Sequence, residues 1–284
     1  PENSGCPGSP SEYTVVVFPV PDLYFNPTEQ TVCEGETSNI QNLSHVTGTT
    51  FSWIATPSSL NLSGYSDGTG NLIAQTVDNN GATIEWVTYQ VTPTANGCPP
   101  GTTLPVVLTV NPLPIITNPI TSYSICNNTT TNITIQSDVT GATVAWRAFS
   151  SSTNITGFSD GSGFLIAHTL VNSGYTIDSV TYRIAATANS CLGDSTDINV
   201  VVFPVADVIF NPTVQELCSG QTTGLTLQSN VANTTYAWTA TGSSPSVTGQ
   251  ADGSGDLIQQ TLVNSGYDIE TVTYQVTPTA NGCN

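Results

Sequence analysis

The residues with most chemistry to offer are seven cysteines in a chain of 284 residues. Six fall into two series, Cys33, Cys126, Cys218 and Cys98, Cys191, Cys283. Catalytic thiols occur singly, whereas structural ones recur at fixed positions, so disulfide formation in an oxidising, extracellular setting is expected. Metal binding is the competing use, and the spacing opposes it, with no CxxC and no Cys/His cluster. Calcium is a second candidate: SDGTG, SDGSG and ADGSG occupy 66–70, 159–163 and 251–255, and Asp252 with Asp256 makes DGSGD read as the start of a calcium loop. Position 256 is Asn71 and Phe164 in the other copies, however, and no Glu follows at EF-hand spacing. A hairpin turn that uses Asp-Gly and Gly for their tolerance of positive φ is the preferred reading, with weak calcium binding left open.

Acid–base and nucleophilic catalysis have little to draw on. His45 and His168 occupy non-equivalent positions, answering to Asp138 and Gln75, and no GxSxG, HExxH or paired-carboxylate arrangement accompanies them. No catalytic residue or cofactor is assigned, and an enzyme is not expected. Possible ligand contacts are Trp86, Arg147 and Arg183. Trp86 answers to Ser179 and Thr271 and shares a strand face with Thr88 and Gln90, so it points outward as a glycan platform or as a surface covered by a neighbour. Arg147 and Arg183 lie on strands that adjoin in an immunoglobulin-like order. Together they suit an acidic sugar or a carboxylate, with pairing to acids such as Asp178 as the plainer alternative. Asn-X-Ser/Thr occurs at Asn42, Asn61, Asn127, Asn128, Asn132, Asn154 and Asn233, and matters only where Asn is glycosylated.

These residues are positioned by a repeat. VTYQVTPTANGC at 87–98 returns unchanged at 272–283, with VTYRIAATANSC at 180–191 between them. Trp53, Trp146 and Trp238 step by 93 and then 92 residues, as do Asp67, Asp160 and Asp252 and both cysteine series. Residues 1–20 match the tail of a preceding unit, giving 1–20 as its C-terminal strand, repeats at 21–113 and 114–205, and a third at 206–284 whose last strand is missing. Within a unit, TVVVF, VVLTV and NVVVF are β-branched runs, TTFSWIA and VTYQVTP alternate, and Gly, Asn, Asp and Pro punctuate them. The fold class is all-β: tandem immunoglobulin-like sandwiches of about 92 residues, with the segment after Cys33 as strand B, Trp53 on strand C, VTYQV as strand F and VVLTV as strand G. The three tryptophans belong in the core. Proline-bearing joints at 18–22, 111–115 and 203–207 stiffen the array.

Twenty acids against two arginines and no lysine, a formal charge of −18, leave no basic surface for nucleic acid or for anionic membrane. No apolar run is long enough to span a bilayer, so no direct membrane insertion is expected. Two arginines also offer trypsin-like proteases little to cut.

At VTYQVTPTANGCPPGTTLPVVLTVNPLP and at LCSGQTTGLTLQS the chain resembles the PKD-like, immunoglobulin-like repeats of very large Bacteroidetes surface proteins, gliding-motility adhesins among them. The resemblance implies export by the type 9 secretion route, display at the cell surface as a long filament, and a structural or adhesive role without catalytic residues. Partners would then be adjacent repeats of the same chain, identical chains in a filament, or surface glycans. Two other roles stay open: a secreted carbohydrate-binding module, or a protomer whose N-terminal strand, 13–18, completes the third repeat of the next chain.

Cysteine pairing has two solutions. Spacing favours Cys33 with Cys98, Cys126 with Cys191, and Cys218 with Cys283, each closing a loop that stabilises by about 4 kcal/mol in the chain-entropy model. Topology favours Cys33 with Cys191 and Cys126 with Cys283. The A to B and F to G turns of one sandwich lie at opposite ends, about 25 Å apart for an eight-residue strand, whereas a disulfide needs Cα atoms within about 7 Å. The inter-unit pairing is preferred.

Overall fold

The computed structural model describes residues 5, 9–118 and 122–283. Every regular element among them is a β-strand. The chain divides into two compact units, Pro1–Leu113 with Ala188–Cys191, and Pro114–Thr187 with Leu192–Asn284. In the first, ten strands form a sandwich: β1 (Tyr24–Asn26), β2 (Gln30–Cys33), β3 (Ile40–Leu43), β4 (Thr50–Pro57), β5 (Leu62–Ser63), β6 (Gly68–Thr69), β7 (Leu72–Ile73), β8 (Asp78–Asn79), β9 (Glu85–Thr94) and β10 (Leu104–Asn111). One sheet runs β2-β10-β9-β4-β6 and the other β1-β3-β7, with β5 paired to β8. Pairing is antiparallel except between β10 and β2, which run parallel.

Alternation explains the core. In β9, Glu85–Thr94, every second residue faces inward, and Val87, Tyr89 and Val91 are 0% exposed. Val106, Leu108 and Val110 of β10 close over them, and Ile40, Ile73, Phe51 and Trp53 pack from the other strands. A side chain the size of Val or Leu contributes about 1.5–3 kcal/mol when fully buried, so this inward stripe is the main source of the sandwich's stability.

The second unit repeats the plan with Ser122–Cys126, Thr196–Phe203, Asp178–Ala188, Thr143–Ser150 and Gly161–Ser162 in the same sheet order. It then begins the plan again. Thr235–Gly242 pairs with Val272–Thr279 and Gly253–Ser254, and Leu225–Gln228 with Ile209–Asn211 and Leu257–Ile258. Among the described residues this last sandwich has no counterpart of β10, and residues 215–218, which answer to β2, are not in a sheet.

Residues 14–18, TVVVF, lie outside any strand among the described residues, and Val17 is 84% exposed. Residues 1–4 and 6–8 of the same N-terminal segment lie outside the described residues. One expectation is corrected: the glycine after Asp67, Asp160 and Asp252 is not there for positive φ. Only the later glycines of these loops, Gly70, Gly163 and Gly255, have it, at 127°, 119° and 125°. Gly68, Gly161 and Gly253 lie flat against the core tryptophans, so that a Cβ would come within 2.5, 2.5 and 2.6 Å of the ring. Each indole in turn donates its Nε1–H to a carbonyl, Ser66 O, Ser159 O or Ala251 O, at 3.1–3.2 Å.

Gly161→Ala should therefore overpack the ring of Trp146 and cost about 1–3 kcal/mol, seen as a lower midpoint in thermal unfolding. An unchanged midpoint would show that the ring has room to yield.

Candidate functional site

The cysteines define the most distinctive chemistry. Cys33 ends β2 opposite Asn111 of β10. Its sulfur is bonded to that of Cys191, with Cα atoms 5.6 Å apart. Cys126, opposite Phe203, is bonded to Cys283 with the same Cα separation. Cys98 and Cys218 have no disulfide partner among the described residues, and none of the three pairings within a repeat occurs. Strand direction is the reason. β2 runs parallel to β10 and β9 antiparallel to it, so Cys33 sits at the C-terminal end of β10 while Cys98, beyond the end of β9, lies past its N-terminal end. An eight-residue strand holds those ends about 25 Å apart.

The turn that presents the second cysteine is built by positive φ. Asn96 and Gly97, Asn189 and Ser190, and Asn281 and Gly282 all have it, with values from 50° to 76°. Asn-Gly is the pair that accepts two such residues in succession, which accounts for ANGC in the repeat.

The acids of the DGSG loops serve the backbone. Oδ1 of Asp67, Asp160 and Asp252 accepts the N–H of Ala55, Ala148 and Ala240 at 2.8–2.9 Å. Asp256 contributes its carbonyl oxygen to Leu227 N–H. Among the described residues no three His, Cys, Asp or Glu side chains cluster so as to hold a metal ion. The carboxylate at Asp252 thus latches two strands.

Arg147 stands directly across from Arg183 in the strand register, and both are exposed. Arg183 makes a bidentate pair with Asp197, Nε to Oδ1 and Nη2 to Oδ2, both 2.8 Å. Each partner favours the other's charged form: the hydrogen bond from Arg183 lowers the Asp197 carboxyl and the one to Asp197 raises the guanidinium. Asp178, the acid expected beside the arginines, instead accepts from Ser151 and Thr176. Arg147 has no ion-pair partner among the described residues. Trp86 is 49% exposed on β9, next in alternation to the exposed Ile84. Of the glycosylation motifs, Asn42 is buried and spends its Nδ2 on Gly70 O at 3.0 Å, so it is closed to modification.

The histidines are held by polar neighbours, with Ser159 Oγ 3.4 Å from His168 Nε2. His45 is hydrogen-bonded through Nδ1 to Asp22, whose carboxyl is held well below the usual range by that bond and by those from Ser44 and the backbone. His168 takes the place that Gln75 and Gln260 hold in the other repeats. Tyr89 and Tyr274 donate to those glutamines at 2.9 and 3.0 Å, and Tyr182 meets His168 Nδ1 at 2.8 Å. Burial lowers the pKa of the imidazole.

Two recurring features were not singled out from the sequence, although the period of the repeat carries them. Ser58, Ser151 and Ser243 donate to Glu85, Asp178 and Glu270. Asn79 and Asn172 donate Nδ2 both to a carbonyl four residues on and to Val110 O or Val202 O, at 3.0 Å, tying the closing strand into the sandwich. Where that strand is absent, a groove of about 960 Å³ opens in the second unit, lined among others by Val214, Leu217, Val272 and Tyr274.

Family models match the chain three times as the PKD-like domain, over residues 30–114, 123–206 and 215–284. The chain therefore belongs to the PKD-like domain family. No curated protein matches it. Among solved structures it is similar to an I-band fragment of titin, at 13% identity over 94% of this chain and 95% of that one, with a TM-score of 0.44. It is also similar to human CDH23 EC21-23, at 13% identity over 91% and 99% with a TM-score of 0.34, and to Dpr2 Ig1-Ig2 in complex with DIP-Theta Ig1-Ig3, at 12% identity over 90% and 98% with a TM-score of 0.37. No helix among the described residues is long and apolar enough to cross a membrane. These are tandem immunoglobulin-like β-sandwiches of PKD-like type.

Two measurements follow from this geometry. Because the folded pKa of His168 is depressed, the unfolded chain takes up a proton first as the pH drops below about 6.5, and stability falls from there until the folded pKa is reached. His168→Gln should keep the tyrosine bond and abolish this component in denaturant titrations at pH 7 and pH 5, whereas an unchanged pH slope would assign it elsewhere. The Cys33→Ser/Cys191→Ser double variant should lose about 5 kcal/mol by the loop-entropy relation for a separation of 158 residues, read from denaturant unfolding.

Proposed function

We propose that the chain is a load-bearing stalk segment of an extracellular surface filament. The observation that carries this reading is the interlocking of the two disulfides. Cys126 lies inside the loop closed by Cys33 and Cys191, while Cys283 lies outside it. The shortest covalent route from Cys33 to Cys283 therefore crosses one bond to Cys191, returns the 65 residues to Cys126, and crosses the other. A chain pulled from its ends can reach at most about 230 Å along that route, against about 880 Å for the 250 residues of the open chain. Such a segment keeps most of its length even when its sandwiches open, which is what a stalk under tension needs. The acidic surface, two arginines and cystines support an extracellular setting. The resemblance to large Bacteroidetes adhesins extends the proposal to type 9 export and to display beside other repeats of the same kind.

A second reading, glycan binding, is favoured by Arg147, exposed and without an ion-pair partner among the described residues, and by the half-exposed Trp86. Glycan-array signal lost in both Trp86→Ala and Arg147→Ala would favour this reading, and a flat array would remove it.

Single-molecule extension tests the stalk. The oxidised chain should stop near the shorter length and the reduced chain should reach the longer one. Equal extension in both states would sink the reading.

A further inference from the structure

We propose that the outer sheet face of the second repeat binds a carboxylated sugar, with Arg147 holding the carboxylate and Phe149 covering the ring beside it. The proposal rests on the glycan-binding reading and narrows it to one ligand class and to one site, built wholly within the second unit.

Arg147 and Arg183 are the only Lys or Arg side chains in the sequence, and strand register sets them directly opposite each other. Across three strands one row reads Asp197, Arg183, Arg147. Like charges directly opposite each other destabilise a sheet, so folding alone gives no reason for this row. Asp197 offsets the repulsion on one side only, taking both ends of the Arg183 fork at 2.8 Å. Arg147 is left exposed, without an ion-pair partner among the described residues. Asp160, whose carboxylate reaches the same strand, accepts the N–H of Ala148 instead. One guanidinium fork therefore stands open on a chain whose formal charge is −18.

The neighbouring repeats show how local this is. Arg147, Phe149 and Arg183 are replaced by Ile54, Thr56 and Gln90 in the first repeat and by Thr239, Thr241 and Gln275 in the third. Gln90 and Gln275 lie in the stretch that those two repeats share without a change. All three departures fall on one face, because residues two apart on a strand point the same way and Arg183 stands across from Arg147. Phe149 is 50% exposed there, and opposite it is Thr181, whose hydroxyl donates to Asn199 Oδ1 at 3.3 Å. On the far side of the arginines the row is Ala145 and Ala185, where the first repeat has Ser52 and Thr92. The arginines thus lie between an aromatic ring and a floor of methyl groups, with a hydroxyl and an amide beside the ring.

These groups match a sugar acid. A guanidinium takes a carboxylate through two parallel N–H···O bonds, and an exposed aromatic face offers apolar surface to the C–H side of a pyranose. Charge limits which acidic glycan fits. At a Debye length of about 8 Å in physiological salt, a dense polyanion would bring most of its charges against an acidic surface. A lone carboxylate on a neutral saccharide meets the arginines without that repulsion. The same repulsion opposes an acidic peptide or a second copy of the chain. The ligand class is a neutral oligosaccharide that carries a single uronic acid.

Calorimetric titration of the intact, disulfide-bonded chain tests this. The probes are an oligosaccharide ending in glucuronic acid, the same oligosaccharide with its carboxyl reduced to the alcohol, and oligoglutamate. The uronate should bind, and the other two should bind about tenfold more weakly or not at all, the ratio that one charge-assisted fork supplies. Arg147→Thr and Phe149→Thr install residues that the third repeat already carries, so thermal midpoints should match the wild-type chain. Both should weaken uronate binding, Arg147→Thr by about tenfold. Absent uronate binding, equal affinity for the reduced sugar, tighter binding of oligoglutamate, or full affinity in Arg147→Thr would overturn the proposal. Neutral glycans bound through Trp86 and indifferent to Arg147→Thr would overturn this site alone and leave the broader glycan reading standing, whereas a flat array removes both.

Discussion

One strand completes each sandwich, and the rest of the structure depends on its two edges. β10 accepts β9 antiparallel on one side and β2 parallel on the other. Through the first edge it covers Val87, Tyr89 and Val91; through the second it draws β2 into the sheet and holds Cys33 at its own C-terminal end. The last sandwich shows what this strand supplies. Among the described residues its Val272–Thr279 strand pairs with Thr235–Gly242 alone, Tyr274 and Val276 are partly buried, and the buried cluster is Leu227, Tyr236, Trp238 and Ile258 with partly buried neighbours. A β-strand's contribution lies in partners distant in sequence, so it is absent when they are.

The same arrangement of parallel and antiparallel edges decides the cysteine chemistry. A thiol at one end of a sandwich cannot meet a thiol at the other, so each finds the turn of a following repeat, and the two bridges overlap along the chain. Crosslinks of this kind stabilise by restricting the unfolded ensemble, and overlapping ones also restrict how far the unfolded chain can extend. Local ties support this framework without chemistry of their own: the aspartate latches at Asp67, Asp160 and Asp252, the serine–acid pairs, and the flat glycines against tryptophan. Such repetition suits a protein whose surface has few cations and whose polar contacts come from Ser, Thr, Asn and Asp.

Much of this was legible in the residues. The period, the β class, the core tryptophans and the alternation of VTYQV read directly, because side-chain direction in a strand has period two and every copy restates it. The misreadings share one cause. The glycine after each aspartate reads as a turn residue, whereas its real constraint is an indole brought close by the opposite strand. Asp178 reads as a partner for arginine, whereas the register places Asp197 across from Arg183 and gives Asp178 to Ser151. Each error substitutes proximity in sequence for proximity in space.

The sequence by itself determined the repeat, the strand-forming segments, the inward and outward faces, and the oxidising character implied by recurring cysteines, all of which follow from local spacing and residue type. Tertiary structure decided between the two cysteine pairings that the sequence left in competition, which acid meets Arg183, and why Gly161 must lack a side chain. Those depend on strand direction and register between segments far apart in the chain, and no property of a single segment contains them.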